Sequence, residues 1–526
     1  MPLAAWLEPL PDAGEQRALD TWAIEQLGIP GSSLMELAGT GLADLVGGLV
    51  PTGLVAIVCG KGNNGGDGFV AAHVLRQRGR DVRVLMLAPA GGLRGDALAM
   101  YERLPEGLAA PFSAEGLTGA GGIVDAILGT GFSGEPREPA ASAIEAINAA
   151  AAAGAVVVAC DVPSGVDAST GEALGAAVRA AATATFHAAK PGLWIAPGKS
   201  HAGQVAVVEI GIPAGGPADP SIGLIHGSVL HRIPRRGRES TKFAAGNVVV
   251  CGGSIGLTGA PSMAAEAAMR AGAGYVTACV PRSLNLVFEA RLLEVMTVAV
   301  DDEDGAMTAA ASDQVLGRAA RGGALVLGPG LGRAEGAVAL ARSVASGAEV
   351  PLLLDADGLN AHAGLLPSLA GRTAATVLTP HAGELARLLD TDSAAVGARR
   401  LHSAREAASA ASAIVVLKGD DTLVVAPDGR VAISPGGSPA LATAGTGDVL
   451  SGTIGALLAK GMDPFEAASA GVFAHVSAGR LAASEIGSEG VIASDVIARL
   501  PAAMRGAGAD PAVAATGTAG PVGQLR

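Results

Sequence analysis

Aromatic residues are scarce in this 526-residue chain: Phe, Trp and Tyr together make 2%. A core of large rings is therefore excluded, and whatever core exists must be built from Ala, Val, Leu and Ile. Cysteine is also rare, with Cys59, Cys160, Cys251 and Cys279 the only four. None forms a C-x-x-C pair and no Cys/His group has zinc spacing, so a structural zinc site is not indicated. Cys59, Cys160 and Cys251 end apolar runs of β type, which suggests buried reduced thiols and a reducing compartment. Basic residues are outnumbered, 36 Lys and Arg against 49 Asp and Glu, for a formal charge of −13. That balance argues against nucleic acid or an anionic membrane as a partner. It leaves room for a phosphate-bearing small ligand, because helix N-termini bind phosphate through backbone N–H groups. No basic n-region precedes an apolar stretch within Met1 to Asp20, so no signal peptide is expected. The longest apolar stretch, Ala140 to Cys160, contains Glu145 and Asn148 and is mostly alanine. It reads as a surface helix running into a buried strand, not as a membrane span. A cytoplasmic, water-soluble chain is the expectation.

Hydrophobic residues, by contrast, reach 49% and glycine counts 77. A chain of this length divides naturally into two cores. Short apolar runs at Leu54-Cys59, Val82-Leu87, Gly122-Leu128, Ala155-Cys160, Ala182-Phe186 and Val205-Ile210 alternate with alanine-rich helical stretches. A second series runs through Asn247-Cys251, Tyr275-Val280, Ala324-Leu327, Leu352-Leu354, Thr376-Leu378, Ile414-Leu417 and Thr422-Ala426. This rhythm indicates βαβ units, parallel sheets and helices on both faces. The expected division is a first domain over 1–215, a linker over 216–228, a second domain over 229–505 and a disordered Gly/Ala/Pro/Thr tail over 506–526. The fold class is thus α/β, with two three-layer sandwiches, the first of Rossmann type.

Three loops of the first half carry polar groups from strand ends. The segment Gly60 to Gly68 (GKGNNGGDG) contains a G-x-G-x-x-G before a helix expected over Phe69-Arg78. An NAD-linked dehydrogenase would also want an acid ending the second strand, and Leu85-Met86-Leu87-Ala88 has none. A glycine-rich turn serving only backbone geometry is the plain alternative. The other loops are Asp125 to Phe132 and Asp161 to Asp167. In an open α/β sheet such loops converge where ligands bind. Asn64, Asp125 and Ser164 offer oxygen, which suits a hard cation. Asp161 is a candidate acid/base. Either aspartate also serves as a helix cap or a turn tie.

Asn63-Gly68, Asp125-Phe132, Asp161-Gly165, Phe186-Leu193 and Leu34-Gly39 together resemble the NAD(P)H-hydrate epimerase family over most of the first half. The resemblance implies that Asn63, Asn64, Gly65, Gly66 and Asp67 contact the hydrated dinucleotide. It implies the same for Gly129, Thr130, Gly131, Phe132, Ser133, Gly134 and Glu135. It further implies potassium on Asn64, Asp125 and Ser164, and Asp161 against the substrate as the group that moves a proton. Lys190 either meets phosphate or pairs with an acid.

In the second half, Ala444 to Gly452 (AGTGDVLSG) opens an apolar helix expected over Val449-Leu458. Successive glycines at a helix start present N–H groups to an anion, and Asp448 can take a proton from an attacking hydroxyl. An N-cap aspartate flanked by glycines is the plain alternative. Lys418-Thr422, Gly328-Gly332, Thr379-Glu384 and Thr258-Pro261 lie near other strand ends. A G-x-x-x-x-G-K-[ST] loop is absent. The set resembles the ribokinase-like superfamily and, within it, the ADP-dependent NAD(P)H-hydrate dehydratases. By that resemblance the second domain is ribokinase-like, and Lys418, Gly419, Asp420, Asp421, Thr422 and Gly447 bind the adenine nucleotide with Mg2+. Ala260, Gly330, His381 and Asp448 line the hydrate pocket, with Asp448 catalytic. Many relatives carry His-Lys-Gly where this chain reads Ser240-Thr241-Lys242-Phe243, which leaves the part of Lys242 open. The implied partners are hydrated NADH and NADPH and ADP, in a homo-oligomer. Two rival readings stand beside this one: a small-molecule kinase fused to a dinucleotide-binding module, and a non-catalytic first half.

Overall fold

The computed structural model describes residues 3–505. Residues 9–222 gather into one unit, and residues 4–8 with 223–505 into another. The tail expected from residue 506 lies outside the described residues.

The first unit is a seven-stranded sheet in the order Ala109–Pro111, Val82–Met86, Leu54–Cys59, Ala120–Ala126, Val156–Cys160, Ala182–Phe186, Gln204–Val208. Every pairing is parallel. Alternate residues feed opposite cores. Val55, Ile57 and Cys59 pack on one side with helices Gly31–Leu49 and Asn63–Gln77. Ala56 and Val58 pack on the other with Ile144 and Ile147 of helix Ala140–Ala152. Three layers result, as the run of β-branched residues predicts. The chain leaves Leu54–Cys59 toward one edge and returns to add Ala120–Ala126 on its other side. That reversal opens a crevice beyond the carboxyl ends of these two strands.

The second unit carries an eleven-stranded sheet in the order Leu7–Pro9, Ile222–Ile225, Val431–Ile433, Leu423–Val425, Ile414–Leu417, Thr376–Leu378, Leu352–Leu354, Ala324–Leu327, Asn247–Cys251, Tyr275–Pro281, Met296–Val300. Six pairings, from Ile414–Leu417 to Met296–Val300, are parallel, and the two from Ile414–Leu417 through Leu423–Val425 to Val431–Ile433 are antiparallel. All of Ile414–Leu417 and Ala324–Leu327 is buried, so helices cover both faces. With few aromatic rings to fill gaps, helices approach closely. A Cβ on Gly452, in helix Thr446–Ala459, would lie 2.0 Å from the Ala264 carbonyl of helix Gly259–Arg270. The reversal here lies between Asn247–Cys251 and Ala324–Leu327.

Two expectations need correcting. The expected first domain includes residues 4–8, which belong instead to the second unit, where Leu7–Pro9 is an edge strand beside Ile222–Ile225. The stretch expected as a linker holds that strand, since Ile222, Leu224 and Ile225 are apolar enough to be buried. All four cysteines are buried and free. No helix among the described residues is long and apolar enough to cross a membrane, and Ala140–Ala152 followed by Val156–Cys160 is the helix and strand anticipated there.

Candidate functional site

The crevice of the first unit is a cavity of about 890 Å³. Its wall includes Asn63, Asn64, Asp67, Gly129 to Phe132, Asp161 and Lys190. Helix Asn63–Gln77 starts six residues earlier than expected, so the glycine-rich segment is itself the first helical turns. The reason is proximity. A Cβ on Gly65 would lie 2.1 Å from the Gly60 carbonyl, so only glycine lets this turn sit on the loop before it. Gly65 and Gly66 are buried under the wall, and neither they nor Ser133, Gly134 and Glu135 line the cavity.

Asp161 sits at the end of Val156–Cys160 with φ +65°, a left-handed conformation that is costly for a non-glycine residue. Hydrogen bonds hold it there. Lys190 Nζ donates to its Oδ1 at 2.6 Å, Thr185 Oγ1 donates to the same oxygen at 3.2 Å, and Thr130 Oγ1 donates to Oδ2. Lys190 is 1% exposed and spends its remaining hydrogens on Thr185 Oγ1 (3.0 Å) and the Phe186 carbonyl (2.9 Å). It pairs with the acid. Burial pushes the Asp161 carboxyl up, but Lys190 and the hydroxyl donors more than offset this and hold it below the usual range. Asp67 and Asp20 go the other way: burial, with neighbouring carboxylates, raises both.

Behind this wall Asp125 is fully buried, and no lysine or arginine pairs with it among the described residues. Its partners are Ser164 Oγ (2.6 Å), Ser164 N–H (2.8 Å) and Ile127 N–H (3.3 Å), and burial lifts its pKa to about 6. Asn64 donates through Nδ2 to the Leu128 carbonyl at 2.9 Å, leaving Oδ1 buried with no partner. Ser164 accepts from the Leu128 N–H at 2.9 Å. An uncompensated carboxylate beside an orphaned amide oxygen is a donor set that fits a hard monovalent cation.

Asp20 and Gln16 escaped the sequence reading, as did the cavity-lining Arg17 and Arg137. Gln16 Nε2 donates to Asp20 at 2.9 Å, and Gln16 Oε1 is another buried oxygen without a partner. The available signal was Asp12-x-x-Glu15, a capping box that starts helix Ala13–Thr21.

In the second unit, Asp448 lies in the first turn of helix Thr446–Ala459. Burial, then the charges of Asp355 and Glu384, lift its pKa to about 7 against the opposing pull of Lys418. Lys418 Nζ is 3.0 Å from Asp355 Oδ1 and 3.6 Å from Glu384 Oε2. Gly447 faces the same ammonium, which would lie 3.5 Å from a Cβ placed there. Asp355 is 2% exposed and also accepts from Ser451 Oγ at 2.6 Å. It ends the strand Leu352–Leu354, the position that drew attention to Asp125 and Asp161, and was overlooked because no glycine motif surrounds it. Three carboxylates around one ammonium leave the site negative, which fits a divalent cation.

His381 is the N-cap of helix Ala382–Leu388. Its Nδ1 accepts from the Gly383 N–H (3.0 Å) and the Glu384 N–H (3.3 Å), while Glu384 accepts from the His381 N–H at 2.8 Å. Burial, first among the causes, lowers the imidazole pKa. Ala260 and Gly330 are adjacent: a Cβ on Gly330 would lie 3.3 Å from that of Ala260. Asp420 accepts from the Gly437 N–H at 2.8 Å, Thr422 Oγ1 donates to the Gly419 carbonyl at 2.6 Å, and Asp421 forms a buried 2.8 Å pair with Arg400. Lys242 lies over the rings of Phe243 and Tyr275, 5.3 and 5.4 Å from their centroids.

Residues 248–502 match the family model described as NAD(P)H-hydrate dehydratase, and residues 31–192 the model described as YjeF-related protein N-terminus. A bifunctional NAD(P)H-hydrate repair enzyme of Moorella thermoacetica is 39% identical over 94% of this chain and 96% of its own. That of Salinibacter ruber is 37% identical over 94% and 95%. A crystal structure of the ADP/ATP-dependent NAD(P)H-hydrate dehydratase of Bacillus subtilis with ATP/Mg2+ is 28% identical, covering 52% of this chain and 94% of that one, at a TM-score of 0.44. Over nearly its whole length, the chain belongs to the bifunctional NAD(P)H-hydrate repair enzymes.

Proposed function

We propose that the chain restores hydrated NADH and NADPH, with residues 9–222 as the epimerase and residues 4–8 with 223–505 as an ADP-driven dehydratase. One observation carries the reading: Asp448 is held near neutrality at a glycine-lined helix start, over Lys418. A base poised there takes the proton of the C6 hydroxyl while that oxygen attacks the β-phosphoryl of ADP. Backbone N–H groups at the helix start and Lys418 stabilise the developing charge. AMP departs, and elimination of phosphate from C6 returns NAD(P)H. Lys418 to Thr422 and Gly447 hold the nucleotide, and Ala260, Gly330 and His381 the hydrated ring. Mg2+, when bound, supplies charge to the transferring phosphoryl group, and Asp355 and Glu384 would hold it.

Only one epimer is processed, so the first unit interconverts the two. Asn63 to Asp67 and Gly129 to Glu135 contact the dinucleotide, Arg17 and Arg137 lend positive charge to its phosphates, and Asp161 moves a proton at C6. K+ would sit with Asn64, Asp125 and Ser164, supplying the positive charge the buried carboxylate lacks. Four buried free thiols support a reducing compartment such as the cytoplasm.

A small-molecule kinase is not favoured, because full-length relatives of the repair family share both halves. The test follows absorbance at 340 nm from mixed-epimer NADH hydrate with ADP, Mg2+ and K+. Full recovery is expected. Recovery halting at the fraction held as one epimer removes the epimerase assignment; none with ADP or ATP removes the dehydratase.

A further inference from the structure

We propose that Asp67 is the general acid of epimerisation, protonating the C6 hydroxyl as it departs, with the Asp161 carboxylate as the complementary base. The inference rests on the epimerase reading above and gives its cavity a mechanism.

Asp67 and Asp161 line the same cavity. Asp161 holds the buried Lys190 ammonium of this cavity, and Lys190 has no hydrogen left, since all three go to Asp161, Thr185 and Phe186. Asp67 is 8% exposed, and no hydrogen bond reaches its carboxyl among the described residues. The titratable groups facing it are Asp20 from helix Ala13–Thr21, Cys59 and Cys160 from strand ends, Asp161, and the committed Lys190. A buried carboxylate among acids, without a partner, is costly, so the group keeps its proton. Burial and the Asp161 and Asp20 charges raise it well above its ordinary value, while Lys190 and its hydroxyl partners hold Asp161 below its own. Two carboxyl groups in one site, pushed apart by their surroundings, divide naturally into acid and base.

The chemistry needs that division. As the C6–O bond breaks, the lone pair of the ring nitrogen forms a C6–N1 double bond, and hydroxide leaves as water with the Asp67 proton. Water then adds to the other face of C6, gives a proton to Asp161, and returns the pair to nitrogen. One water leaves, one enters, and nothing is oxidised or reduced. A turnover carries the proton from Asp67 to Asp161; exchange with solvent between turnovers, or the reverse turnover, brings it back.

The experiment compares full-length wild type, D67N and D67E in K+ buffer without ADP. Epimers are separated chromatographically and the C6 oxygen is followed by mass in H2(18)O. Expected are a fall in the D67N kcat of about 10²–10⁴-fold with KM nearly unchanged, and partial rescue by D67E. Wild type should take up one (18)O per inversion and lose rate as pH rises through the Asp67 pKa. A first-unit calorimetric transition matching wild type reports that the unit carrying Asp67 is folded, and dehydration of the S epimer with ADP on the same samples reports the same of the second unit. The proposal is overturned by D67N keeping its kcat within threefold, by a rise in KM alone, or by retention of the original oxygen. Wild type that inverts no epimer removes the epimerase reading itself, a different outcome from an active D67N.

Discussion

Asp448 is the residue on which the dehydratase turns, and its environment fixes a pH dependence. Its carboxyl must be ionised to accept a proton, and its pKa is about 7. Dehydration kcat should therefore fall about tenfold per pH unit below that value. D448N should lose roughly 10²–10⁴-fold in dehydration and spare epimerisation, read by the 340 nm and chromatographic assays. The same residue has a stability signature. Its folded-state pKa lies above the unfolded value of roughly 4, so the charged form weighs against folding. That penalty is absent near pH 4, grows as pH rises toward 7 and is complete above it. D448N should melt above wild type at pH 8 and with it at pH 4; the opposite order would contradict the buried placement. Asp125 invites a parallel test with a different ligand. If K+ meets the carboxylate and the orphaned Asn64 oxygen, raising K+ to 100 times its dissociation constant adds about 2.7 kcal/mol to the first unit. S164A, observed by thermal melting in K+ against Li+, should lose most of that difference.

At the scale of elements, the helix Asn63–Gln77 shows what glycine does and why pattern reading misplaces it. G65A should cost the first unit more than ~2 kcal/mol, because a methyl cannot sit 2.1 Å from the Gly60 oxygen. Gly47, in helix Gly31–Leu49 with nothing within 4 Å of its would-be Cβ, is the control. G47A should be neutral or stabilise by up to ~1 kcal/mol, since alanine is the better helix former. Urea titrations of both variants decide it. The two positions look alike in a sequence, and packing alone separates them. Strands fared better. Asn247–Cys251, Ala324–Leu327 and Ile414–Leu417 were legible to the residue because strands buried on both faces of a parallel sheet read as short continuous apolar runs. Ala109–Pro111 and Met296–Val300 were not: the first is three residues with a proline, and the second is only partly buried at the sheet edge. The site shows the same contrast. Asp161, Asn64 and Asp448 announce themselves through glycine-rich loops, whereas Asp355 and Asp20 reveal their place only when folding sets them beside Lys418 and Lys190.

At the scale of the molecule, the second unit is discontinuous in sequence. Its sheet starts from Leu7–Pro9, with Leu10 N–H donating to the Ile222 carbonyl and His226 N–H to that of Trp6, each at 2.9 Å. Trp6 is buried and its ring lies 5.8 Å from that of Phe465. A chain lacking residues 1–8 should therefore lose dehydratase stability, with burial of the Trp6 ring alone worth roughly 3–5 kcal/mol. Differential scanning calorimetry resolves this as a lowered transition for the second unit. An unmoved transition would mean the edge strand is dispensable.

The same strand sets a timetable during synthesis. Residues 4–8 leave the ribosome well before their neighbour Ile222–Ile225, which follows only after the whole of the first unit has emerged. At about 5–20 residues per second that is a wait of roughly 10–40 s. Through that interval a short apolar segment with a tryptophan trails from a nascent α/β unit with no sheet to join. An N-terminal tag or a trigger-type chaperone acting there would touch not the epimerase beside it in sequence but the dehydratase still to be made.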